Sequence, residues 1–78
     1  MTQYFIHIRG HLDQRWEKVF SGYHLCHAYS PTDGPITVVS GDVVDQAALY
    51  GLISRFQGLG IELISVQPNL EKEKEDDK

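Results

Sequence analysis

The sequence predicts an α+β fold, a two-layer sandwich in which a four-stranded, mainly antiparallel sheet carries one long and one short helix. Three observations lead there. Several short segments alternate apolar and polar residues with the period of a strand. Residues 46–57 instead carry an apolar stripe with the period of a helix. Between these segments lie clusters of Gly, Pro, Asp and Ser, the residues that make turns. The order is β-α-β-β-α-β, that of a ferredoxin-like or split βαβ domain. The alternative is a three-strand β-meander followed by helix and strand, because the first connection is short for a crossover.

Strand one is Tyr-Phe-Ile-His-Ile-Arg at residues 4–9. Tyr4, Ile6 and Ile8 fall on one face and Phe5, His7 and Arg9 on the other, and Gly10 ends the run. In HLDQRWEKVFSG, Leu12, Trp16, Val19 and Phe20 recur at the spacing of one helical face, predicting a short helix or a couple of turns, closed by Gly22. YHLCHAY, residues 23–29, resumes the two-residue alternation. SPTDGP at 30–35 is a turn, since Pro presets φ and Gly accepts positive φ, and ITVVS at 36–40 is a β-branched strand. Residues 23–40 therefore form a hairpin.

Gly41 is expected to break that strand, with Asp42 or Asp45 capping the long helix. Ala48, Leu49, Leu52, Ile53 and Phe56 form the helix's apolar stripe. Gly58 is a natural stop, and Leu59 and Gly60 turn the chain into a last strand from Ile61 to Val66, halted by Pro68.

The domain is expected over residues 1–70, with 71–78 a charged, disordered tail. That tail, EKEKEDDK, holds five of the 11 acids and three of the seven bases, so residues 1–70 carry only six acids against four bases. A net charge of −4 leaves no basic field for a phosphate backbone, and nucleic acid is not an expected partner. No apolar run approaches the roughly 18 residues of a membrane span. The N-terminus has no basic start or cleavage signal, and the one cysteine, Cys26, forms no internal disulfide, so a cytoplasmic protein is expected.

His24, Cys26 and His27, with His7 and His11 upstream, have the chemistry of zinc or copper ligands. On a strand, however, His24 and Cys26 point to one side and His27 to the other, and no ligand spacing is recognisable. Strand histidines at a surface or interface are the better reading, and no metal or other cofactor is expected. Cys26 beside a histidine has the parts of a nucleophile and base, but a half-buried strand thiol explains it as well. Asp13 with Glu17 suits a solvated helix face, and Asp42 with Asp45 suits a cap, so no catalytic residue is assigned.

If Tyr4, Ile6, Ile8, Tyr23, Leu25, Ile36, Val38, Ile61 and Leu63 line the helix-covered face, then Phe5, Cys26, Val39, Ile64 and Val66 lie opposite with nothing to cover them. Such a patch marks an interface. A homodimer formed sheet to sheet is expected, through Phe5, His7, Val39, Ile64 and Val66, with Gly51 a further contact. Gly in mid-helix costs about 1 kcal/mol relative to Ala, which close approach of another backbone would offset. A ligand pocket between sheet and helix would use Trp16, Tyr23, His24 and Cys26.

The two stretches RGHLDQRWEKVFSG and DQAALYGLISRFQGLGIELISV resemble a group of small bacterial proteins. Their pattern runs G-H-L-x-x-R-W, then Phe and Gly, then D-Q-A-A-L-x-G-L-L and L-x-S-V. The likeness spans about residues 8 to 66 and implies a stand-alone domain without a settled activity. The HLCH strand and the charged tail depart from it, so no role transfers to them. The expected role is that of an accessory or regulatory protein acting by homodimerisation and protein-partner binding, with a small ligand binder or enzyme as the alternative.

Overall fold

The structure is a computed structural model that describes residues 2–69, so the expected tail, 71–78, lies outside the described residues. It is an α+β fold with β1 (Thr2–Arg9), α1 (Trp16–Val19), β2 (His24–Ser30), β3 (Gly34–Val43), α2 (Gln46–Gly58) and β4 (Leu63–Pro68). The four strands make one sheet in the order β2-β3-β1-β4, and each neighbouring pair is antiparallel. β1 and β2 are therefore not neighbours, because β3 lies between them. This removes the meander alternative, and residues 10–23 cross over β3 rather than forming a hairpin.

Both helices pack on one side of the sheet. Leu49, Leu52 and Phe56 of α2 join Ile6, Ile8, Val39, Val43 and Phe20 in a buried core. Phe20 and Phe56 lie with ring centroids 4.7 Å apart, and the Arg55 guanidinium sits 5.0 Å over the Phe20 ring. Ala48 and Ile53 pack against the same cluster, so the whole predicted stripe of α2 faces the sheet. Asp45, not Asp42, is the cap: its carboxylate accepts from the Ala48 N–H at 2.9 Å. At the other end Gly60, rather than Gly58, takes the positive φ of +78° that turns the chain out of the helix.

α1 is a single turn of helix flanked by turns, within the short helix or couple of turns expected of this segment. Leu12 is held to the sheet by both backbone groups, its N–H donating to Thr37 Oγ1 at 3.0 Å and its carbonyl accepting from the His27 ring at 2.6 Å. Neither group is then available to a helix, and an Asp13 carboxylate accepting from the Arg15 N–H makes a turn instead. Leu12, Trp16 and Phe20 still reach the core, but Val19, assigned to the same face, is 45% exposed.

β3 does not stop at Gly41 but continues to Val43. Gly41 lies under Tyr23, where a Cβ would come 2.5 Å from the ring, so this glycine permits a close approach inside a strand. In the β2–β3 turn, Ser30 Oγ accepts from the Thr32 and Asp33 N–H groups, and Gly34 takes φ +76°.

Candidate functional site

The pairing register assigns every strand residue to one of two faces. Ile6 opposes Val39, which opposes Leu25, and Ile8 opposes Thr37, which opposes His27. These residues look toward the helices. The open face then carries three rows across the sheet: His24, Ser40, Phe5 and Gln67; Cys26, Val38, His7 and Ser65; Ala28, Ile36 and Arg9.

This corrects the expected faces at four positions. Val39 is fully buried in the core and Val66 packs against it opposite Ile6, so neither belongs to an open-face interface. Ile36 and Val38 lie on the open face instead. The phase of β3 was misread because Ile-Thr-Val-Val places apolar residues on both sides, and hydropathy does not choose between them. Thr37 does: its hydroxyl donates to the Gly10 carbonyl at 2.7 Å while accepting from Leu12, which fixes it on the helix side, fully buried. Ile64 falls where the β1–β4 register slips, the extra residue of a bulge between Leu63 and Ser65.

Phe5 and His7 are on the open face as expected, both half-buried. Arg9 closes one end of that face, pairing with Asp33 at 3.2 Å on one side and Glu62 at 3.1 Å on the other. Gly51 is elsewhere. It is exposed on α2, on the far side of the molecule from Phe5, and a Cβ there would meet nothing within 4 Å. Among the described residues no other backbone approaches it.

The four candidate ligand residues are not brought together. Trp16 and Tyr23 pack against the core on the helix side, while His24 and Cys26 project from the open face. A cleft of about 250 Å³ does exist beside β2, lined by Leu12, Gln14, Leu25, Cys26 and His27. Trp16 borders a separate, smaller hollow of about 170 Å³ with Arg15 and Val19.

Above the cleft, His27 and His11 stack at 4.3 Å with their planes 2° apart, and Tyr29 meets His11 edge-on at 5.7 Å. The His27 Nε2 lies 2.6 Å from the Leu12 carbonyl and the His11 Nε2 lies 3.1 Å from the Ala28 carbonyl. A carbonyl oxygen only accepts, so both rings carry their proton on Nε2 and donate it. Sequence reasoning singled out the histidine tract but missed this role, because what unites the pair is a reciprocal contact between loop and strand, His27 of β2 reaching the Leu12 carbonyl and His11 of the loop reaching the Ala28 carbonyl. Val38 separates His7 from Cys26 in their shared row, and among the described residues no three His, Cys, Asp or Glu side chains are placed to hold a metal ion. Among the same residues no helix is long and apolar enough to cross a membrane.

Fold and surface together define a small α+β domain with one helix-covered and one open sheet face. The chain belongs to the family described as a domain of unknown function, DUF8691, whose model matches residues 3–67. No curated protein and no solved structure matches it.

Proposed function

We propose that this is a small cytoplasmic accessory or regulatory protein that acts by homodimerisation and by binding a protein partner, with the open sheet face as the contact surface. The observation that carries the reading is that Phe5, Val38, Cys26 and Ala28, drawn from three adjacent cross-strand rows, share a face that neither helix covers. Ringed by His7, His24, Ser40 and Arg9, it has the apolar centre and polar rim of a docking surface. The strand order supports a ferredoxin-like reading, since two helical connections that each skip one strand produce it.

A second reading, a small-ligand binder of the dimeric ferredoxin-like kind, has the cleft beside β2 in its favour. At about 250 Å³ it is smaller than the roughly 300 Å³ at which drug-sized pockets begin. The binding module is therefore preferred. Sedimentation of the wild-type chain and of Val38→Asp over a wide concentration range tests it. Self-association that Val38→Asp weakens is the expected result. A strict monomer at every concentration, or a mass unchanged by Val38→Asp, would sink the open face as a self-contact.

A further inference from the structure

We propose that two copies of this chain also pair edge to edge through β2, with Tyr29 of each copy seated in the cleft of the other. The inference rests on the reading of the protein as a self-associating module, but uses the β2 edge and the cleft beside it, which borders the open face at Cys26.

The two edges of the sheet differ. β4 is interrupted by the bulge at Ile64 and ends in Pro68, both devices that discourage strand addition. β2, His-Leu-Cys-His-Ala-Tyr-Ser, has no bulge in its pairing with β3, no proline and no Asp, Glu, Lys or Arg. On a chain of net charge −4, a strand without acidic side chains of its own limits the repulsion between two copies, with the Glu17 carboxylate at Leu25 a charge that the pairing displaces.

The direction of the β2 backbone groups follows from two observations. The Leu25 N–H donates to Glu17 Oε2, outside the sheet, at a long 3.4 Å. Tyr29 opposes Pro35, which has no N–H to offer it. With the two-residue alternation of a strand, Leu25, His27 and Tyr29 therefore all present their N–H and C=O groups outward.

Pairing the whole of His24–Ser30 with its own copy in antiparallel sense allows one full-length register. It places His27 opposite His27 on the two-fold axis and Tyr29 opposite Leu25. Opposed residues share a face, so each Tyr29 stands over the other copy's Leu25, where the cleft lies between Leu12, Gln14 and His27. Tyr29 is 76% exposed in the single chain, and the cleft has room for one aromatic side chain. The Tyr29 carbonyl takes the Leu25 N–H from Glu17, whose carboxylate is the only group on the described residues shown holding it.

Amide exchange of the full chain, read residue by residue at low and high protein concentration, tests this directly. The Leu25, His27 and Tyr29 amides exchange more slowly at high concentration, and Tyr29→Lys abolishes that difference while weakening association about tenfold or more. Glu17→Ala frees the Leu25 N–H and tightens association. Val38→Asp leaves the protection at His27 and Tyr29 in place, which separates failure of the open-face contact from failure of the edge. Exchange of His27 and Tyr29 that is independent of concentration overturns the proposal, as does protection there that Val38→Asp removes and Tyr29→Lys does not.

Discussion

Two halves of the covered sheet face are held in different ways. Over one, α2 presses Leu49, Leu52 and Phe56 against Ile6, Ile8, Val39 and Val43, a contact made of apolar area and shape. Over the other, beside β2, the loop after β1 is tied down by directed bonds: Thr37 to Gly10 and Leu12, and His27 to Leu12. Apolar packing tolerates small shifts and supplies most of the stability. Directed bonds contribute less net energy but fix position, and they are what holds Leu12 at the wall of the cleft.

The largest expected effect breaks the first half. Phe56 is fully buried and packs on Phe20, so Phe56→Ala removes both burial and an aromatic contact, at about 3–5 kcal/mol. A domain of this size has a total stability on the order of 4–12 kcal/mol, so the variant loses a large part of it. Urea unfolding monitored by circular dichroism should show the midpoint collapse toward low denaturant. A loss below about 1 kcal/mol would mean that α2 is not the clamp on the sheet.

The same comparison explains what was legible in the sequence. α2 was readable because a 3.6-residue stripe, an Asp cap and a glycine stop all agreed. The hairpin was readable from Ser-Pro-Thr-Asp-Gly, whose serine and glycine do the work those residue types suggest. The short helix α1 was also legible, but its exact start and the exposure of Val19 were not, because periodicity registers side-chain faces and not the competing demand of Thr37 for the Leu12 N–H. The phase of β3 was lost for the same reason, since a buried threonine looks like one more β-branched residue until its partners are in view. Of the candidate surface, Phe5 and His7 were placed correctly by alternation alone. Val39 and Val66 were not, because one depends on that phase and the other on a bulge.

An intermediate effect breaks the second half. Thr37→Val keeps the shape but leaves the Gly10 carbonyl and the Leu12 N–H without their partner, costing about 1–3 kcal/mol. The loss should be local as well as global: the Leu12 amide exchanges faster by a larger factor than the amides of α2. Equal acceleration at both would show that the loop and α2 open as one unit, and the contrast between the two halves would fall.

The smallest effect sharpens the contrast on the outer side of α2, where neither kind of contact operates. Gly51 was expected to mark the close approach of a second backbone, yet the space around it is open. A methyl group added there meets nothing among the described residues and relieves the cost of glycine within a helix. Gly51→Ala should therefore raise stability by about 0.5–1 kcal/mol, seen as a higher urea midpoint at unchanged slope. Because Gly51 lies away from both the open face and the β2 edge, self-association should be unaffected. Should Gly51→Ala stabilise the fold and yet weaken association, the outer side of α2 would be a contact surface in its own right, and the glycine would be explained by a neighbour outside the chain.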